Sequence, residues 1–102
     1  MKIYIVITEW WRDDGISGPE HCHEEAVVAV CSTIEKAERR AQILANEEIN
    51  ELKSRDDENS PDVTFLRNLK EYGIPLRICV LSVHNDRFYE RRNITVKEME
   101  VE

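Results

Sequence analysis

Val30-Cys31-Ser32-Thr33-Ile34-Glu35-Lys36-Ala37-Glu38 joins the end of an apolar strand to the start of a helix, and the fold reads outward from it. Ser32 and Glu35 have the spacing of a capping box. In that motif the hydroxyl accepts from the backbone N–H three residues on, and the carboxylate reaches back to the N–H of the capping residue. Beyond it, Ile34, Ala37, Ala41, Leu44 and Leu52 recur at helical spacing, which predicts a helix over about 33–53 with one buried stripe. Its other side carries Glu35, Glu38, Arg39, Arg40, Gln42 and Glu47, a solvated face with a favourable Glu35–Arg39 pairing.

Upstream of the helix, residues 2–11 and 24–31 are rich in β-branched and apolar residues and read as two strands paired in a hairpin. In the first, Ile3, Ile5 and Ile7 face one way and Tyr4, Val6, Thr8 and Trp10 the other. The second sets Ala26, Val28 and Val30 against Val27, Ala29 and Cys31. Downstream, Ser54-Arg55-Asp56-Asp57-Glu58-Asn59 is a polar linker. Ser60 then caps an expected second helix with Pro61 in its first turn. Val63, Leu66, Leu69 and Tyr72 would form its stripe, and Gly73 and Pro75 would end it. A strand over 76–84 follows, apolar on both faces. Phe88 and Tyr89 open a last strand, where Ile94 and Val96 alternate before Met99 and Val101 resume on the opposite parity. That slip predicts a bulge near Lys97-Glu98. The expected fold is α+β, a mostly antiparallel sheet with the chain order β-β-α-α-β-β and both helices packed on the sheet.

The length of 102 residues suits a single domain, with 41% hydrophobic and 34% charged residues, a balance typical of folded chains. A formal charge of -7 disfavours non-specific nucleic-acid binding, which needs Lys and Arg to replace phosphate counterions. No segment approaches the roughly 20 apolar residues of a membrane span. The run Lys2-Ile3-Tyr4-Ile5-Val6-Ile7 is too short for a signal peptide and breaks at Glu9 without a small-residue cleavage site. Cys22, Cys31 and Cys79 are odd in number and form no Cys-x-x-Cys, which points to reduced thiols in a cytoplasm.

The hairpin followed by Ser32-Thr33-Ile34-Glu35-Lys36-Ala37-Glu38 resembles small uncharacterised bacterial and phage proteins that carry a capped helix after an N-terminal hairpin. The resemblance covers about residues 2–45. It implies the fold of that half and brings no activity with it.

Candidate chemistry concentrates between Arg12 and His23. In extended chain, His21 and His23 of His21-Cys22-His23-Glu24-Glu25 project to one side, and His84 would have to supply a third metal ligand. Glu25 would lie about 13 Å from His21 at the strand rise, too far to join easily. Zinc needs three or four protein ligands in defined geometry, and three histidines in all make an incomplete set. Asp13-Asp14-Gly15 lacks the remaining ligands of a calcium loop and reads as a turn with Gly18-Pro19.

Trp10-Trp11 carries more weight. Adjacent strand residues point to opposite faces, so one indole is left for a surface or an interface, where Trp acts as an anchor. Two charge clusters complete the inventory. Glu47, Glu48, Glu51, Asp56, Asp57, Glu58 and Asp62 crowd the end of the helix and its linker, and read as a solvated surface. Arg87, Arg91 and Arg92 flank Phe88 and Tyr89 in what reads as a polar hairpin tip.

No Gly-x-Ser-x-Gly, Walker loop or dinucleotide fingerprint is present, so no cofactor and no catalytic residue are expected. The expected function is a small cytoplasmic protein-interaction or regulatory module, phage-associated and homodimeric, with Tyr4, Trp10 and Trp11 as the interface candidates. One alternative is a metal-dependent or thiol enzyme using His21, Cys22 and His23. Another is an acidic inhibitor of a nucleic-acid-binding protein. The dimer follows from strands apolar on both faces, with Tyr4 or Trp10 near the contact. Protein purified without chelators is expected to hold no stoichiometric zinc by metal analysis; zinc lost on replacing both His21 and His23 would put the enzyme first.

Overall fold

The computed structural model describes residues 1–13, 21–55, 62–69, 73–85 and 88–102, placing side chains for all of these but 13, 21–23, 54, 55, 68, 69, 83–85, 88 and 89. They form β1 (Lys2–Asp13), β2 (His21–Cys31), α1 (Ile34–Arg55), β3 (Asp62–Leu69), β4 (Ile74–Asn85) and β5 (Phe88–Glu100). One sheet holds all five strands, in the order β2-β1-β5-β4-β3, with every neighbour antiparallel. The expected β-β-α-α-β-β order is therefore overturned at its second helix: these described residues contain one helix and five strands.

The misread segment is β3. Val63, Leu66 and Leu69 have a spacing that suits a helix, yet Val63-Thr64-Phe65 is β-branched and aromatic and takes a strand equally well. An isolated helix of about twelve residues is marginal in water, since most helical stability in proteins comes from tertiary packing. As a strand the segment instead runs in register with β4 from Asp62↔Leu81 to Leu69↔Ile74. Gly73 does not end a helix. It sits at φ +66° just before β4, and its carbonyl accepts from the Glu98 N–H at 2.7 Å. A Cβ there would meet the Glu98 carbonyl oxygen at 3.3 Å.

Two local expectations also shift. Helix α1 begins one residue later than the capping box implies. The Lys36 N–H donates to Thr33 Oγ1 (3.3 Å), so Thr33 is the cap, and Ser32 stays exposed ahead of it. No bulge interrupts β5 near Lys97: its pairing with β1 runs unbroken from Lys2↔Glu100 to Asp13↔Tyr89. The change of parity there reflects two faces of one straight strand. The register shifts lie elsewhere: on β2, where Val28 and His23 are the extra residues at the Val6/Ile7 and Trp10/Trp11 shifts, and on β4, where His84 is the extra residue between Val83 and Asn85.

Because all neighbours are antiparallel, β2 and β3 point the same way from opposite edges of the sheet. Helix α1 links them by recrossing one face. It lies over β2, β1, β5 and β4. Ala37, Ala41 and Ala45 are fully buried, and these small side chains let the helix approach closely. Beneath them lie Val6, Ile94, Val96, Leu76, Ile78 and Val80, with Leu52 closing the end. Leu44 packs on this core only partly buried. A helix is roughly 10 Å across, whereas five strands span about 24 Å. One helix therefore cannot cover even its own face, and Phe65 on β3 remains 45% exposed.

The expected consequence is a graded response to truncation. Leu76→Ala, at a fully buried site, should cost about 2–5 kcal/mol, and Leu44→Ala distinctly less, as read by chemical denaturation.

Candidate functional site

Register places the two tryptophans on opposite faces of the sheet, each in the same kind of grip. Trp10 lies opposite Arg92 on β5 and faces the helix. Its indole Nε1 donates to Glu90 Oε2 (3.2 Å), and the Arg92 guanidinium lies 5.8 Å from the ring centre. Trp11 lies opposite Arg91 and faces away from the helix. Its Nε1 donates to Glu9 Oε2 (3.2 Å), and the Arg91 guanidinium lies 5.3 Å from its ring. Each ring thus has one carboxylate for its polar edge and one cation near its π-system. This pairing was not legible in the sequence, because it depends on the β1–β5 register.

On the helix side, Arg92 also bonds Glu48 of α1 at 2.6 Å and lies 3.7 Å from Glu90. Glu48 thereby leaves the acidic surface expected at the helix end and ties the helix to the sheet. Residues 56–58 of that cluster fall outside the described residues. A cleft of about 250 Å³ opens beside the ion pair, lined by Thr8, Trp10, Glu24, Glu48, Arg92 and Ile94 among others. Its carboxylates face a guanidinium, and its lining offers no thiol or imidazole. Tyr4, on the same face, packs against the core and donates to Glu98 Oε1 at 3.4 Å. Of the three interface candidates, Tyr4 and Trp10 therefore face the helix and Trp11 the opposite side.

That opposite side carries no second layer among the described residues. Strand alternation places Ile3, Ile5, Ile7, Glu9 and Trp11 of β1 there, beside Arg91, Asn93, Thr95, Lys97 and Met99 of β5. Val27 and Val30 of β2 extend the apolar area and are 59% and 65% exposed. On β4, Arg77 donates from Nε to Thr95 Oγ1 at 3.2 Å. Cys79 lies between Asn93 and Thr64, and burial pushes its thiol pKa up. Nearby Arg77 and Arg91 pull it down and Glu9 adds to the rise. A raised pKa is the reverse of what a nucleophilic thiol needs.

The side chains of His21, Cys22, His23 and His84 lie outside the described residues. Their backbones are placed: His21 and His23 on edge strand β2, His84 on β4. Strands β1 and β5 stand between, which separates the two backbones by about 14 Å. His23 is the extra residue at the Trp10/Trp11 register shift on β2. Among the described residues no group of three or more His, Cys, Asp or Glu side chains is arranged to hold a metal. Arg91 and Arg92 lie within β5 and point to opposite faces, which dissolves the basic cluster expected at a hairpin tip; Arg87 is outside the described residues. No helix among these residues is long and apolar enough to cross a membrane. No protein family, curated protein or solved structure matches the chain.

The raised Cys79 pKa fixes the sign of one pH effect. Its contribution to stability is fully present below the unfolded thiol's pKa of 9.0 and is lost as pH rises through the higher folded value. Denaturant midpoints should therefore fall between pH 8 and 10 more steeply in the native protein than in Cys79→Ala.

Proposed function

We propose that this protein is a non-catalytic interaction module of the cytoplasm, regulatory in role, whose working surface is the open face of its sheet. The observation that carries this reading is the apolar area of Ile3, Ile5, Ile7, Val27, Val30 and Met99, on a face without a covering layer among the described residues. Contiguous apolar area on a folded protein marks a site of association. Trp11 stands on the same face in a fixed orientation, and aromatic side chains of this kind anchor protein contacts. The free thiols of Cys31 and Cys79 agree with a reducing compartment. Against thiol catalysis by Cys79 stands its burial, which pushes the thiol pKa up.

The reading makes a surface-specific prediction. Diluted well below micromolar, the native protein should enhance the fluorescence of an apolar dye. Val27→Ser with Val30→Ser should abolish most of that signal while leaving the denaturation midpoint nearly unchanged, since both positions are exposed. Phe65→Ser, on the helix side, should leave the signal intact. A native protein that binds no dye, or a signal that survives the double substitution, would overturn the assignment of this face.

A further inference from the structure

We infer that the occupant of the open face is a second copy of this chain, docked face to face about a two-fold axis parallel to the strands and lying between β1 and β5. The inference rests on the reading that this face is the working surface, and names its partner.

Charge carries the argument. The described residues of the open face include the cations Arg77, Arg91 and Lys97 and the anions Glu9, Glu25 and Asp62. Asp62 stands on the edge strand β3; of these residues the other four strands carry three cations and two anions on this face, close to balance on a chain whose formal charge is -7. A strongly acidic or basic partner would find little net charge to meet. A second copy finds a pattern that matches itself, because the charges are segregated by strand. Glu25 and Glu9 lie on β2 and β1, whereas Arg91 and Lys97 lie on β5 and Arg77 on β4. Rotation about an axis between β1 and β5 lays β1 of one copy on β5 of the other, and β2 on β4. The acidic half then covers the basic half twice, once on each side of the axis, as an isologous contact requires.

The same operation seats the apolar groups. Ile3 comes to lie opposite Met99 of the second copy, Trp11 opposite its Arg91, and Val27 opposite the stem of its Arg77. Strands keep a common direction across the contact, as in aligned sheet packing. Strand β3 falls outside the overlap. Four strands of about 30 Å give a footprint of roughly 600 Å² per copy from strand spacing and rise. That compares with about 800 Å² per partner in a standard interface, before side-chain relief adds to the planar area.

Glu25 and Arg77 give a clean test. Within one chain they stand on strands β2 and β4, about 14 Å or more apart. Across the proposed contact Glu25 lies over Cys79, one two-residue step of about 7 Å along β4 from Arg77 and within reach of its long side chain. Sedimentation equilibrium of the native protein at tens of micromolar should show a dimer. Glu25→Arg and Arg77→Glu should each weaken it roughly tenfold or more by setting like charges together. An equimolar mixture of the two variants should restore association, because each mixed pair then places opposite charges at both symmetry-related contacts.

A native monomer would overturn the dimer. Dye binding by that monomer would leave the open face as an interaction surface for another protein, and its absence would remove both readings. A dimer unaffected by either substitution, or weakened in both and not restored on mixing, would overturn this arrangement. Should Arg77→Glu fail to fold, alanine substitutions at Glu25 and Arg77, singly and together, replace it. Strictly additive losses in that cycle would then overturn the pairing.

Discussion

Everything in this fold depends on the pairing of its first strand with its last. β1 and β5 run together without a slip from Lys2↔Glu100 to Asp13↔Tyr89, and they occupy the middle of the sheet. The contact reaches the chain ends, where the Met1 ammonium donates to Val101 O at 2.9 Å and bonds Glu100. A central pair of such high sequence separation requires closure of nearly the whole chain before its contacts are gained. The outer strands then attach by hairpins on either side. The helix is left to carry the chain from β2 at one edge to β3 at the other. Its position on one face follows from that connection, and among the described residues no second layer lies on the opposite face.

The β1–β5 register also determines what the two tryptophans do. Trp10 and Trp11 receive Arg92 and Arg91 from the facing strand, one pair on each side. On the helix side the grip is extended by Glu48, so a single arginine links sheet, helix and indole. On the open side the corresponding arginine meets no helix. The same local chemistry thus anchors an internal layer on one face and fixes the orientation of an indole on the other. The two sides differ in the helix and in the source of the carboxylate, Glu90 on β5 for Trp10 and Glu9 on β1 itself for Trp11.

The first half of the chain was legible because its signals are local. The alternation of β1 and β2 and the Ala37–Ala41 spacing require no knowledge of the partner element. The segment after Pro61 was not legible, because Val63, Leu66 and Leu69 satisfy a helical spacing while Val63, Phe65 and Arg67 satisfy a strand. Choosing between them takes the free edge of β4, which only the assembled sheet provides. The helix cap was displaced by one residue for a smaller reason: Ser32 and Thr33 both carry a capping hydroxyl, and the spacing to Glu35 favoured the wrong one. At the site, the sequence showed that one tryptophan must leave the core. It could not show which, since the covered face is set by the path of α1.

The strand choice at residues 62–69 has a further consequence for the open face. A second helix in that segment could have lain over Ile3, Ile5 and Ile7 and closed the molecule on both sides. As β3 the segment widens the sheet instead, satisfying the backbone of β4 while adding Leu66, itself 39% exposed, to the apolar surface. Hydrogen bonding at one edge is thus gained at the expense of cover for a whole face. Since α1 is committed to the other side by its connections, none of the described elements remains to supply that cover. A layer from another molecule would bury this surface while leaving the β1–β5 centre undisturbed.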